Sequence, residues 1–233
     1  AAAKAADKRL MINFSYRFSA ASRGLKAQVD AGLFGDFYFG RSVWHRRRGM
    51  PGFGGWFGNK ALAGGGPLID LGVHRLDLAL WLMGYPKPTW VLGSSYDAVA
   101  REIADKAGKH YDVEDLACGL IKFDNGATLV LEASWAANIQ ESELMETRLL
   151  GTRAGLLQKN VNEGYTFEAN VYTEVNGAPV DMHLKAPTAT AKSAMFDYAE
   201  AILSGQPHPA PGEEGLIVME ILDAIYASAA SGA

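Results

Sequence analysis

The sequence predicts an α+β fold, in which a large, predominantly antiparallel open β-sheet carries helices on one face. About eight segments have the composition or alternation of strands, and turns join most of them. Asn125-Gly126 and Asn176-Gly177 each stand between two such segments, and Asn-Gly is a strong hairpin signal. Nothing repeats and no linker divides the 233 residues, so we expect one domain over residues 1–233.

The first part of the chain mixes helices, strands and one long loop. Residues 1–8 are rich in alanine and are typical of the tail of a helix that begins before them. The apolar run at 10–16 predicts a buried strand, and Ser19 or Ser22 is placed to cap a helix that ends near Ala31. Residues 37–44 predict a second strand. The glycine-rich loop at 49–62 contains several aromatic rings, which indicates that it covers something.

The rest of the chain is mostly strands until its end. A strand is predicted at 88–99, a polar loop at 101–114, and a hairpin of strands at 115–123 and 127–136. Further strands are predicted at 146–150, 155–158, 166–174 and 180–184. Two helices, at 189–203 and 213–230, complete the prediction.

Composition narrows the classes of partner. The chain is 48% hydrophobic and 21% charged, which is ordinary for a globular protein. A net charge of −4 favours neither nucleic acid nor an anionic membrane as a partner. No run of about 20 apolar residues predicts a membrane span, and no signal peptide is recognised. The single Cys118 cannot form an internal disulfide, so we expect a reducing, cytoplasmic location.

A nearly all-apolar helix is predicted after three glycines, Gly64–Gly66. Pro67 suits its first turn, and Gly84 is placed to end it. Its exceptions are Asp70, His74 and Asp77, whose spacing puts them in a stripe roughly 60° wide on a helix. Unpaired, these groups would cost several kcal/mol to bury.

Three interpretations of this stripe remain open. It borders a wet cleft and forms a site, or Asp70 caps the preceding loop while His74 is a satisfied core histidine. Metal binding is the least favoured, because no cysteine or second histidine accompanies the pair. We favour a site, since perturbed acid–base groups gather in functional clefts. The glycines at Gly52 and Gly54 do not form a dinucleotide fingerprint, because Phe57 occupies the third glycine position.

Four features together resemble the C-terminal domain of the glucose–fructose oxidoreductase/inositol dehydrogenase (Gfo/Idh/MocA) family. They are Phe14-Ser15-Tyr16-Arg17-Phe18, Gly64-Gly65-Gly66 before Asp70, His74 four residues later, and Gly212-Glu213-Glu214-Gly215-Leu216 leading to Ile225-Tyr226-Ala227-Ser228-Ala229. The resemblance covers essentially the whole chain. It implies an N-terminal Rossmann domain that binds NAD or NADP and a catalytic Glu-Lys-Pro lysine, neither of which is in this sequence. The chain is therefore interpreted as a C-terminal substrate-binding and oligomerisation domain.

The resemblance also implies a function and a set of site residues. It implies the oxidation of a sugar or polyol hydroxyl, with His74 as general base and Asp70 binding a hydroxyl or orienting the imidazole. Candidate substrate-binding residues are Tyr16, Arg17, Trp44, Arg46, Trp56, Lys60 and Asp77. We expect no dinucleotide on this chain alone, which would then be inactive, and no metal. We also expect a homo-oligomer formed through the open face of the sheet.

Two other functions remain open. Some relatives of the family use tightly bound NAD to cleave glycosidic bonds, so a hydrolase is one alternative. A non-catalytic binding or assembly module is the other.

Overall fold

The structure is a computed structural model that describes residues 1–185 and 193–232. The helices are α1 (Ala2–Ala5), α2 (Ala20–Asp30), α3 (Lys60–Ala63), α4 (Val73–Met83), α5 (Ala98–Lys106), α6 (Ala194–Ser204) and α7 (Gly212–Ser231). Short 3-10 helices span Ser15–Phe18 and Trp56–Gly58, and a π-helix, Leu68–Gly72, runs directly into α4. The strands are β1 (Phe37–Arg46), β2 (Pro88–Tyr96), β3 (Leu116–Phe123), β4 (Thr128–Ser134), β5 (Glu143–Gly151), β6 (Gly155–Asn160), β7 (Phe167–Val175) and β8 (Ala178–His183).

These strands form one open eight-stranded sheet in the order β2-β3-β4-β1-β5-β6-β7-β8. β1 lies near the middle and pairs in parallel with β4, while the other neighbouring pairs of the described strands are antiparallel. The prediction of a large, mostly antiparallel open sheet is therefore confirmed.

Helices α2, α4 and α7 lie on the same face of the sheet. The strand registers align one row of inward-facing residues: Gly93, Gly119, Leu131, Ser42, Thr147 and Gln158. Along that row, Gly93 and Gly119 meet Ile225 of α7, Ser42 Oγ donates to the backbone carbonyl of Arg75 in α4, and Gln158 Nε2 donates to Ser22 in α2. A Cβ at Gly93 would overlap the Ile225 carbonyl oxygen, so glycine permits α7 to approach closely.

The predicted strand at 10–16 is wrong. Met11 makes only an isolated bridge with Pro211, and the chain then turns into the 3-10 helix. The apolar residues of this segment are used differently, since Ile12 packs on Gly215 of α7 and Phe14 is buried in the main core. The apolar residues of the segment are therefore used for burial, as expected, but no neighbouring strand pairs with the segment to form a β-ladder.

The predicted loop at 101–114 is wrong in its first part, because α5 occupies Ala98–Lys106, whereas residues 107–114 do form a loop. The buried residues of α5 are Ala100 and Ala104, while Arg101, Glu102, Asp105 and Lys106 give the segment the polar composition of a loop. The Asp115 carboxylate accepts from the backbone amides of Val99 and Ala100, at 2.8 and 2.7 Å, and so caps the first turn.

The other predicted elements exist, with shifted bounds. Ser19 is the cap of α2, because its Oγ accepts from the Ser22 amide at 3.1 Å. The loop at 49–62 contains a 3-10 turn and the start of α3 rather than being wholly irregular. Residues 189–192 of the predicted sixth helix lie outside the described residues, and α6 begins at Ala194. None of the helices in the described ranges is both long and apolar enough to span a membrane.

Candidate active site

The segment Gly64–Gly66 brings the chain to the start of the central helix against a buried carboxylate. Glu114 Oε2 accepts from the Gly66 amide at 2.8 Å, and Oε1 accepts from the Leu68 amide at 3.1 Å. The Tyr226 hydroxyl donates to the same Oε1 at 2.7 Å. A Cβ at Gly66 would overlap the Glu114 backbone carbonyl, so this close approach requires glycine. A carboxylate at this helix end also complements its dipole.

Asp70 lies on a π-helical turn, and this type of turn was not predicted. Pro67 does start the helical segment, but residues Leu68–Gly72 form the wider turn before α4 begins at Val73. Gly72 packs against Ala133 of β4, which sets the first turn close to the sheet. π-turns inside helices are rare and occur often at functional sites.

Asp70 is half-buried and bonds to a tryptophan that the sequence analysis did not select. Trp135, which follows β4 and is fully buried, donates from Nε1 to Asp70 Oδ2 at 3.0 Å. The indole thus fixes one carboxylate oxygen of Asp70. An Asp and a Trp so far apart in sequence give no local signal, so only the fold brings them together.

His74 is half-buried among aromatic rings. The Tyr16 and Trp44 ring centroids lie 5.4 and 6.0 Å from the imidazole centroid. His74 Nδ1 is buried and has no hydrogen-bond partner among residues 1–185 and 193–232. His74 is thus not the satisfied core histidine of the alternative interpretation. Burial lowers the pKa of His74, Asp70 acts to raise it, and Arg75 acts to lower it.

Asp77 does not share this partial exposure, because it is sealed in an ion pair. Arg17 Nε donates to Asp77 Oδ2 at 2.8 Å, and Arg17 Nη2 donates to Oδ1 at 2.5 Å. The Tyr85 hydroxyl also donates to Oδ1, at 2.6 Å, and Arg17 Nη1 donates to Glu214 of α7 at 2.5 Å. Arg17 and Asp77 are 2% and 0% exposed. The pair therefore ties the 3-10 helix to α4.

Trp44 and Arg46 lie at the end of β1, around the carboxylate of Glu143. Trp44 Nε1 and Arg46 Nε donate to Glu143 Oε1, at 2.7 and 2.8 Å, and the Tyr165 hydroxyl donates to it at 3.1 Å. Arg46 Nη2 donates to the Tyr165 hydroxyl at 2.9 Å. Trp44 is almost completely buried and connects this group to His74.

Trp56 and Lys60 lie on the long loop and on α3. Trp56 is 56% exposed and stacks on Phe57 with centroids 3.9 Å apart, and Phe57 in turn meets Trp135 edge-on. The loop therefore does cover something, namely the tryptophan that holds Asp70. Lys60 lines a different cleft of about 250 Å³, beside Tyr96, Asp97, Asp112 and Glu114.

A larger cleft of about 510 Å³ opens beside Tyr16. It is lined by hydroxyl, amide and aromatic groups, among them Asn13, Ser15, Ser19, Tyr165 and Phe167. Neither His74 nor Asp70 lines this cleft, but Tyr16 forms its wall and also contacts the imidazole. Within the described ranges, no cluster of three or more His, Cys, Asp and Glu side chains could hold a metal ion.

The chain is an α+β open-sheet domain with an Asp–His pair on its central helical segment, and comparison with known proteins gives its family. The model of the GFO/IDH/MocA C-terminal domain matches residues 22–157, more than half of the chain. The chain therefore belongs to the Gfo/Idh/MocA family, which confirms the resemblance.

Its homologues are sugar oxidoreductases and dehydrogenases. D-glucoside 3-dehydrogenase of Escherichia coli (strain K12) is 33% identical over 238 residues, covering 99% of this chain and 65% of that protein. Aldose-aldose oxidoreductase from Caulobacter crescentus, complexed with glycerol, has a TM-score of 0.79 at 23% identity and covers 100% of this chain and 65% of its own. Levoglucosan dehydrogenase in complex with NADH and levoglucosan has a TM-score of 0.82 at 21% identity, covering 100% and 67%. This chain thus spans about two thirds of the length of such relatives.

Proposed function

We propose that this chain is the substrate-binding and catalytic half of an NAD(P)-dependent oxidoreductase that acts on a sugar or polyol hydroxyl. The observation that carries this proposal is the half-buried His74, with an unpartnered Nδ1, between aromatic rings and one turn from Asp70. The dehydrogenases among its homologues act on such substrates, as their names state. This makes the same chemistry the best-supported function here.

In this proposal His74 accepts the proton of the reacting hydroxyl. Because burial lowers its pKa, the imidazole is unprotonated, and so able to act as a base, at neutral pH. Asp70 has one oxygen bound to Trp135, which leaves the other to orient a substrate hydroxyl. An alcohol placed between them would donate to one group and be held by the other.

The described residues fit only the reacting end of a dinucleotide. The glycine-rich loop at 49–62 does not form the strand–turn–helix unit that binds a pyrophosphate, since the helical structure in and directly after it is only a 3-10 turn and the four-residue α3. The orphaned His74 Nδ1, by contrast, fits a site completed by ligands. Bound NAD(P) would supply the hydride acceptor, and we propose that residues preceding this sequence hold it in a Rossmann domain.

The substrate-binding candidates divide by exposure. We propose that Tyr16 and Trp56 offer aromatic surface to a sugar, and that the buried Trp44 supports the His74 ring. Arg46 holds Trp44 and Tyr165 in place through Glu143. Arg17 and Asp77 are assigned a structural role because both are sealed within their ion pair. Lys60 belongs to the smaller cleft and contributes only if the loop moves.

The test uses the longer natural protein that contains this chain, assayed with NAD and NADP against a panel of sugars and polyols. His74→Ala should reduce kcat/KM about 10²–10⁴-fold, because proton transfer from the hydroxyl is lost. His183→Ala, on exposed β8, is the matched control and should retain activity. Near-full activity of His74→Ala would refute the assignment. Glycoside cleavage without net NADH production would instead favour the hydrolase alternative.

The isolated 233-residue chain should lack dehydrogenase activity and should not bind a dinucleotide tightly. Calorimetric titration with NAD and NADP checks this directly. A sub-micromolar affinity would contradict the proposal that the dinucleotide is held elsewhere. Binding of ligand with no turnover in any longer form would favour the non-catalytic alternative.

We also propose that the open face of the sheet forms a homo-oligomer. Phe39, Trp90 and Leu92 lie on the face opposite α4 and α7 and are 37%, 50% and 42% exposed. Exposed apolar groups clustered on one sheet face are typical of an interface. Light scattering should give a multiple of the 25.0 kDa chain mass, and Trp90→Glu should shift it towards the monomer. A monomeric parent chain would contradict this proposal.

A further inference from the structure

Arg75 directly follows His74 and is buried without a carboxylate partner among the described residues. Its side chain is 0% exposed. Nη1 donates to Gln158 Oε1 at 3.0 Å and weakly to Thr147 Oγ1 at 3.4 Å. Nε and Nη2 have no hydrogen-bond acceptor in the part of the chain that the structure describes, and none of the ion pairs found there includes Arg75. A buried guanidinium in this condition is costly and needs an explanation.

Aromatic rings surround the guanidinium in place of a carboxylate. Its Cζ lies 4.5 Å from the centroid of the Tyr16 ring, 5.2 Å from Phe167 and 5.8 Å from Trp44. A cation–π contact is stronger for a desolvated charge than for an exposed one. Two of these rings, Tyr16 and Trp44, also contact the His74 imidazole. The Arg75 guanidinium and the His74 imidazole therefore contact the same two rings.

We infer that Arg75 is a positioning residue for the proposed site: its buried charge, which no described carboxylate pairs with, acts together with burial against protonation of the His74 imidazole and holds Tyr16 and Trp44 beside it. The inference rests on the proposed function only for the use made of His74, because the effect of the charge on the imidazole is a property of this chain alone.

The groups that face His74 from each neighbouring element support this role. Asp70 of the π-helix is the one that favours imidazolium, while Arg75 of α4 opposes it. Trp44 of β1 is uncharged, and burial raises the pKa of Tyr16 to about 12, so Tyr16 is neutral. Burial lowers the pKa of Arg75 to about 10, which leaves it charged at neutral pH. Without Arg75, burial alone would oppose Asp70, and the pKa of His74 would rise.

The experiment is an NMR titration of the histidines in the 233-residue chain, with the His74 signals assigned through His74→Asn. Arg75→Met, which keeps the volume and removes the charge, should raise the pKa of His74 by about half a unit or more. Arg75→Lys, which keeps the charge, should raise it much less. Asp70→Asn should lower it. Circular dichroism confirms that each variant is folded.

An unchanged His74 pKa in folded Arg75→Met would overturn the inference. If Arg75→Met does not fold, Arg75→Gln is the second neutral variant with the same expectation. If neither neutral variant folds, Arg75 has a structural role and the inference is overturned.

A pH–rate profile of the longer enzyme separates this inference from the proposed function. Arg75→Met should move the acidic limb of kcat/KM to higher pH without abolishing activity, whereas a merely structural role would lower activity equally at all pH values. If the titration shifts as expected but His74→Ala remains active, the proposed function fails and the inference about the charge stands.

Discussion

Two arginines are buried against the central helix, and their charges have different partners. Arg17, which lies beside Asp77 in the middle of α4, has carboxylate partners in Asp77 and Glu214. Arg75, beside His74 at the N-terminal end, has amide, hydroxyl and aromatic neighbours but no carboxylate among the described residues. The first arrangement holds two elements together. The second leaves a charge available to act on the imidazole, which is what a site requires and a purely structural contact does not.

The comparison is tested most severely by neutralising each arginine in turn. Arg17→Met leaves the Asp77 carboxylate buried without its cation, and should lower the free energy of unfolding by about 3–5 kcal/mol. Arg75→Met leaves no described carboxylate without its cation but does leave Gln158 Oε1 without its donor, and should lower the free energy of unfolding by less, about 1–3 kcal/mol. Urea denaturation of the two variants measures the difference. Equal losses would mean that Arg75 is as structurally paired as Arg17.

A smaller effect is expected at Trp135, which supports Asp70. Trp135→Phe retains a buried ring but removes the Nε1–H donor to Asp70 Oδ2, and should cost about 1.5–3 kcal/mol in unfolding free energy. Trp56→Phe, at an exposed position of the covering loop, is the matched control and should change stability by less than about 0.5 kcal/mol. If both variants are equally stable, the hydrogen bond from the Trp135 indole to Asp70 does not contribute to the free energy of unfolding.

The smallest effect is expected in the pH dependence of stability. Because the pKa of His74 is lower in the folded chain than in the unfolded one, the unfolded state binds more protons below about pH 6.5. Stability should therefore fall as pH decreases from about 7.5 to about 5.5, and His45, whose pKa burial also lowers, adds to the same slope.

Denaturation across this pH range in two variants assigns the slope. His74→Asn should reduce it by removing the group, and Arg75→Met should reduce it by letting the folded imidazole bind its proton more readily. A slope that is unchanged in both variants would assign it entirely to other groups, such as His45.

The sequence predicted much of this arrangement, because local patterns carried it. The Asn-Gly hairpins, the period of the strands, and Gly-Gly-Gly followed by Pro67, Asp70 and His74 are all short-range signals. The 3-10 helix at Ser15–Phe18 was missed because an apolar run does not reveal whether it has a strand partner. Helix α5 was missed because its many charged residues give it the composition of a loop. Trp135 and Glu114 could not be selected, since only tertiary packing brings them to the central helix.

The ion pairing of Arg75 could not be predicted either. Its position one residue after His74 is plain in the sequence, but only the structure shows that no carboxylate among the described residues pairs with it. Asp77 is the converse case, since helical spacing alone groups it with Asp70 and His74, whereas its partner Arg17 comes from a distant segment. A charge pattern along one helix therefore does not tell which charges are neutralised.

The parallel pairing of β1 and β4 has a consequence for how the chain reaches this structure. Phe39 pairs with Thr128 of β4 on one side and with Leu150 of β5 on the other. During translation, β1 is therefore synthesised long before either of its partner strands. Such distant contacts close large loops and slow folding. Until β4 and β5 emerge, both edges of β1 stay open to pairing with other chains, and production at lower temperature or with chaperones should improve the yield of native protein.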